Sequence, residues 1–450
     1  MISVVQSVGG TNVLQRLTGT RMFENEQLND IFFSYTHVES TTWLYLTLFL
    51  TVTLFFKFGR LFSIRNLDVF LISLFTPGFL LVSHGLINGF QDIERLGYIV
   101  LWIVGGVLVV RMLYDCTLVR RPLLEPNLSA GGLTFLLVAL SILLVSNVTV
   151  GYLENDRELE IEQYPNHMPG YRILEDIPPV AVAFWESPFE LVHRGGKDPG
   201  VYRFEMTQRL ALIIVLLAHL AIVGGLILFG SVHFQNVNMG LGAAVFYLLV
   251  PYTGEMGGHV HHVLPGALLV WALLCYRKPF LAGLFLSLAF CIYYPLFLLP
   301  LWIGFYWQRG LPKMLVGVVV GWGILIAGLV LTQRPETGDL ILQIKRMHGF
   351  LMPEMDRDVL KGMWQLHWVP SYRITFIAFF FMMSIMFAIW PAKKNLATLI
   401  SCTAALLLAT RFWNGGGGGL YLGWSLPLII LIMFRPNLED RIMLPPQSIN

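Results

Sequence analysis

The chain alternates between long apolar runs and shorter polar breaks. A hydrocarbon layer about 30 Å thick is crossed by roughly 20 helical residues, each rising about 1.5 Å. Runs of that kind predict membrane spans near 42–56, 67–86, 97–114, 130–147, 208–230, 240–256, 260–276, 312–332, 373–391, 395–412 and 419–434. The fold class that follows is all-α: a polytopic transmembrane helical bundle of about 11 spans. The stretch 279–306 departs from the pattern, because basic residues flank both ends and Pro295 interrupts it. It reads as a helical hairpin that enters and leaves the membrane on the same side.

The polar breaks divide the chain into an N-terminal segment 1–41, a three-span unit 42–128, a membrane core 129–434 and a tail 435–450. The first segment lacks the basic start, short apolar stretch and small-residue cleavage site of a secretory signal, so the first span is expected to direct its own insertion. Within the core, the breaks 148–207 and 333–372 are far longer than simple connections, and loops of that length usually carry function. The first is mainly acidic but also holds Tyr164, Tyr171, Phe184, Trp185 and Phe189. The second has helical apolar spacing through Leu340, Ile344, Met347 and Phe350, broken at Pro353. Both predict amphipathic segments on the outer membrane face. The run Gly415–Gly419 predicts a flexible or closely approached turn.

Charge then orients the bundle. Lys57, Arg60, Arg65, Arg111, Arg120, Arg121, Arg277, Lys278, Arg309, Lys313, Lys393, Lys394, Arg435 and Arg441 fall in alternate breaks. The intervening short breaks near 87–96, 254–259 and 413–418 hold only Arg95. The positive-inside rule therefore puts the N-terminus and both long loops on the non-cytoplasmic side of a cell or inner membrane, with the C-terminus cytoplasmic. The alternation survives only if 279–306 is a same-side hairpin. Composition agrees, since 56% of residues are hydrophobic and 13% are charged, about half the charge of a soluble domain. A net charge of +2 with no basic patch excludes nucleic acid as a partner. Cys116, Cys275, Cys291 and Cys402 are far apart, show no metal-binding spacing and read as reduced packing residues.

Three groups of residues could carry chemistry. Glu154 and Asp156 follow the fourth span at the outer membrane face. A carboxylate beside apolar walls can have a raised pKa and act as general base or metal ligand; the plain alternative is a solvated acidic face. Glu255, His259, His261 and His262 lie in the outer turn between the sixth and seventh spans. They could contact substrate or simply sit among headgroups. A divalent metal on Glu255, His259 and His262 lacks a clear ligand set, so no cofactor is assigned. Arg411 lies near the outer end of the predicted span 395–412, before Trp413 and the glycines. It could offer a bidentate fork to a phosphate or act as a snorkelling anchor. Arg334, Lys345, Arg346 and Arg373 could join it around an anionic headgroup. His219, inside a span, reads as a helix–helix contact rather than a haem ligand.

The run from Tyr276 to Trp302, with Ala282-Gly283, Tyr294-Pro295 and Pro300, resembles a motif of C-type membrane glycosyltransferases (the GT-C fold), in their mannosyltransferase-like branch. Gly258-His259-Val260-His261 occupies the place of that family's polar outer turn, and Tyr421 and Trp424 lead into a similar final span. The resemblance covers roughly 130–434. It implies a polyprenyl-phosphate sugar donor used on the outer face, an acidic base in the first large outer loop (Glu154 or Asp156), and a cation such as Arg411 at the leaving phosphate. Where the family carries a lysine before the hairpin proline, this chain has Cys291 to Tyr294, which makes Tyr294 the candidate there. The reading is thus an inverting hexosyltransferase acting on a lipid-linked donor among membrane lipids. A non-catalytic scaffold binding a protein partner through the outer loops is the alternative, and a transporter or lipid-handling protein ranks last.

Overall fold

The computed structural model describes residues 40–117, 124–154, 199–255, 260–289, 297–331, 340–341, 344, 360, 362–366, 369–392, 394–413 and 422–436. Among them there is no strand. The helices are α1 (Ser40–Phe55), α2 (Ile64–Ser73), α3 (Phe75–Asn88), α4 (Gln91–Asp115), α5 (Ala130–Glu154), α6 (Pro199–Val232), α7 (Val237–Leu249) and α8 (Pro251–Glu255). They continue with α9 (Val260–Leu274), α10 (Pro279–Leu288), α11 (Leu299–Tyr306), α12 (Leu311–Leu331), α13 (Met363–Leu366), α14 (Arg373–Ile389), α15 (Leu396–Ala409) and α16 (Leu426–Phe434).

Six helical stretches among the described residues are long and apolar enough to cross a membrane: 64–86, 91–115, 130–149, 212–232, 311–330 and 370–389. The remaining apolar helices are shorter, at 10–17 residues for those such as Val237–Leu249. At 1.5 Å per residue α7 covers only about 20 Å. It stops because Val250 turns extended ahead of Pro251, which has no amide proton to continue the ladder. The chain is therefore a multi-pass helical membrane protein in which full-length spans and shorter apolar helices are mixed.

The short helices are central and the long ones peripheral. Every residue of α15 and α16 is buried, which is how a helix that is apolar all round behaves. Phe55, Phe246 and Phe434 interlock edge to face with centroids 5.0–6.0 Å apart, joining α1, α7 and α16. The peripheral helices turn large apolar side chains outward, including Phe135 at 73% and Ile389 at 82% exposure. In water such a belt would be an association hazard; against lipid it is the ordinary surface.

Small residues set the closest helix approaches. On α10 and α12, a Cβ at Gly283 would collide with the Met314 carbonyl, one at Gly317 with the Phe280 carbonyl, and one at Gly321 with the Ser287 hydroxyl. Gly317 and Gly321 are four apart, the spacing that lets two membrane helices touch backbone to backbone. The ends of the 279–306 segment meet: the Tyr306 hydroxyl donates to the Tyr276 carbonyl at 2.7 Å. Its arms, α10 and α11, are only 10 and 8 residues long, and both ends lie together.

Connections collect at two opposite ends of the bundle. At one end the Lys57 ammonium bonds the Asn127 side chain at 2.8 Å, His233 Nε2 meets the Leu274 carbonyl at 2.9 Å, and Arg309 donates to the Lys394 carbonyl at 3.2 Å. At the other, Asn147 donates to the Gly254 carbonyl at 3.0 Å and Arg373 to the Trp413 carbonyl at 2.9 Å. Local capping fits this path. Ser63 caps α2, Asn236 caps α7, and Asn395 with Thr398 forms a capping box on α15.

The first end also holds a buried ion cluster. Arg111 grips Asp68 through Nε at 2.8 Å and Nη2 at 2.9 Å, and reaches Asp115 with Nη1 at 2.9 Å. The other Asp115 oxygen accepts from Arg435 and from the Ser401 hydroxyl, each at 2.9 Å. Arg65 donates to the carbonyls of Ile432 and Arg435 at 2.8 and 3.1 Å. The expectation that Arg65, Arg111 and Arg435 are loop cations is corrected: all three are buried, because two aspartates and two C-terminal carbonyls replace the water they would lose. Breaking a buried pair from one side costs about 3–5 kcal/mol. Asp115→Ala is expected to lower stability by that amount in thermal unfolding of the detergent-purified protein; an unchanged midpoint would show that the cluster contributes nothing.

Candidate functional site

α15 finishes in a tight turn over Thr410–Phe412 that carries Arg411, level with the middle of α4, where Gly105 and Gly106 face the Phe412 ring. The tight turn follows from local bonding, with the Thr410 hydroxyl donating to the Leu407 carbonyl at 2.6 Å. Arg411 is buried, 5% exposed. Its guanidinium lies over the Phe75 ring, 5.0 Å from the centroid, a contact worth about 0.5–2 kcal/mol. Its Nη1 has no hydrogen-bond partner among the described residues. A buried guanidinium ordinarily satisfies its donors.

A continuous line of rings leads away from it. Phe75 stacks with Phe79 at 6.2 Å, and Phe79 meets Tyr252 at 5.3 Å. The Tyr252 hydroxyl is hydrogen-bonded to His262 Nδ1 at 2.7 Å, both side chains being buried. Tyr252 is also within electrostatic reach of Arg411. The C-terminal segment closes over this pair: a Cβ on Gly423 would strike the His262 carbonyl and come within 3.4 Å of Tyr252, and one on Gly266 would lie 2.6 Å from the Gly423 carbonyl. Only glycine fits at these two positions. A small recess of about 10 Å³, room for a single water, is lined by Leu48, Thr51, Ser73, Thr76, Phe246 and Pro251.

On the other flank, Arg373 donates from Nε to the Trp413 carbonyl and lies over the Trp364 ring at 5.9 Å. Trp102 is the hub there, 5.7 Å from Trp364, 5.5 Å from Phe376 and 5.2 Å from Phe412. Two arginines thus lie on either side of an aromatic wall on the same end.

The structure brings together part of the set picked out from sequence. Arg411 and His262 meet through Tyr252, and Arg373 docks on the residue two beyond Arg411. Glu154 ends α5, Glu255 ends α8 and His261 lies in the first turn of α9. Asp156, His259, Tyr294, Arg334, Lys345 and Arg346 lie outside the described residues, as does the glycine run. His219 accepts or donates a 2.9 Å hydrogen bond with the Tyr247 hydroxyl across α6 and α7, a helix–helix contact. Among the described residues no three metal-ligating side chains gather.

Phe75, Phe79, Tyr252 and Trp102 were not picked out by sequence reasoning, since aromatic residues in apolar runs look alike until the fold pairs them. Glu94, buried in the first turn of α4, also escaped notice; an acid there suits the helix dipole. Compared with protein-family models, curated proteins and solved structures, the chain matches none.

Removing a buried charge whose Nη1 has no partner among the described residues relieves a desolvation cost, against which the ring contact is lost. Arg411→Met is therefore expected to leave stability unchanged or raise it by about 1–2 kcal/mol in thermal unfolding. A loss of about 3 kcal/mol or more would make Arg411 a structural strut.

Proposed function

We propose that this protein is a membrane glycosyltransferase of C-type architecture that moves a sugar from a polyprenyl-phosphate donor to an acceptor hydroxyl at the non-cytoplasmic face. The observation that carries the reading is Arg411, a buried cation whose Nη1 is unmatched among the described residues. Phosphate accepts from guanidinium in a charge-assisted geometry, and a site screened from water strengthens that attraction.

Topology supports the same reading. The basic breaks contact one another at the opposite end, through Lys57, Arg309 and the Arg111 cluster. With those breaks cytoplasmic, the Arg411 end, the N-terminus and both long loops face outward and the C-terminus inward. The meeting of Tyr276 with Tyr306 supports a re-entrant hairpin, and the mixture of long and short helices accommodates about 11 predicted spans.

In the proposed reaction Asp156 or Glu154 takes the proton of the acceptor hydroxyl while its oxygen attacks the anomeric carbon. The bond from that carbon to the phosphate oxygen breaks, the sugar inverts, and the electron pair leaves with the polyprenyl phosphate, whose charge Arg411 stabilises. In this reading Glu255, His259, His261, Tyr294 and Arg334 would contact the sugar, while His262, buried against Tyr252, would support the site from behind. Positioning and charge stabilisation supply the catalysis.

Proteoliposomes holding the full chain, offered polyprenyl-phosphate hexoses and lipid or glycan acceptors, test the proposal. Transfer should fall about 10²–10⁴-fold in whichever of Glu154→Gln and Asp156→Asn removes the base, with normal membrane insertion. Undiminished transfer in the double variant, or no transfer by the wild type from any donor of this class, would sink the reading and favour a scaffold.

A further inference from the structure

The four cysteines of the chain are scattered in sequence, yet two of them meet. Cys116, just past the end of α4, and Cys402, inside α15, lie 286 residues apart with their sulfurs 3.7 Å from one another. Cys402 is fully buried and Cys116 is half-buried. The pair stands directly beside the ion cluster, since each cysteine is the next residue after one that binds in it: Asp115 and Ser401, bonded to each other at 2.9 Å. Lys394 interacts electrostatically with both sulfurs, while Asp115 opposes it at Cys402. The Lys394 ammonium is held in place by the Phe387 carbonyl at 3.1 Å. It lies between α14 and α15, and burial lowers its pKa from the ordinary lysine range.

We propose that Cys116 and Cys402 form a redox-modifiable thiol pair, closing to a disulfide that staples α4 to α15 when a hydroperoxide reaches the bundle end that carries the ion cluster. A disulfide requires the sulfurs to approach by about 1.7 Å more, to a bond of about 2.0 Å, a movement within reach of side-chain rotation at Cys116 beyond the helix end. The half-buried sulfur reacts first. The Cys116 thiolate attacks the distal oxygen of the hydroperoxide, giving the sulfenic acid and an alcohol, or water from hydrogen peroxide. The Cys402 sulfur then attacks the Cys116 sulfur, the S–S bond forms, and the sulfenic oxygen leaves as water after taking up a proton. Two thiols are oxidised by two electrons in all, and the hydroperoxide is reduced by the same two. A dithiol reductant reverses the bond by exchange. The cross-link would fix the middle of α15, the helix whose C-terminal turn bears Arg411.

Neither the sugar-transfer reading nor any substrate enters this inference, so its test is independent. Full-length protein in membranes is treated with hydrogen peroxide, blocked with a maleimide, and digested for peptide mass spectrometry. The expected result is a peptide pair joining Cys116 to Cys402, absent after dithiothreitol, with Cys275 never in the cross-link. In Cys402→Ala the resolving sulfur is gone, and Cys116 should instead accumulate as a dimedone-trapped sulfenic acid. The proposal is overturned if both sulfurs remain maleimide-labelled after peroxide treatment, if cross-links form only between other cysteines or between molecules, or if Cys116 in Cys402→Ala yields no sulfenic adduct.

Discussion

Taking an ion out of water costs several kcal/mol even after a protein relaxes around it, and this bundle buries cations in two places. In one, three arginines and two aspartates are joined through bidentate and carbonyl bonds that tie α2, α4, α15 and the exit of α16 together. In the other, Arg411 is buried against rings, with its Nη1 unmatched among the described residues. The functional reading rests on that guanidinium.

The helices are organised by what their surroundings can accept. Lipid offers no hydrogen bonds, so backbone groups are satisfied within helices, and helix pairing falls to packing. Glycines such as Gly283, Gly317 and Gly321 let α10 and α12 meet at backbone distance. The short, wholly buried α15 and α16 do not need the length of a span, because neighbouring helices rather than lipid surround them. That central position is what allows the turn after α15 to hold Arg411 away from water.

Much of this was legible in sequence where the information is local. Apolar runs marked the helices. Arg411 and His262 could each be picked out because ionisable groups next to apolar runs are conspicuous. What could not be read was partnership over long separations. Arg65 and Arg435 looked like ordinary loop cations, although Arg111 and Asp115 at helical spacing gave a local hint of the cluster. Cys116 and Cys402 looked unrelated. The line from Arg411 through Phe75 and Phe79 to Tyr252 and His262 needs four elements brought together, and no local pattern encodes it.

If Arg411 is kept buried and unmatched in order to receive a phosphate, then a phosphate should be found on it. The most direct measurement is an experimental structure of the full chain in lipid nanodiscs with a polyprenyl phosphate bound. The account predicts the phosphate within hydrogen-bond distance of Arg411 Nη1. A phosphate bound at the opposite end, or a polyprenyl phosphate lying only on the lipid-facing surface with Arg411 paired instead to the chain's own carboxylates or carbonyls, would contradict it.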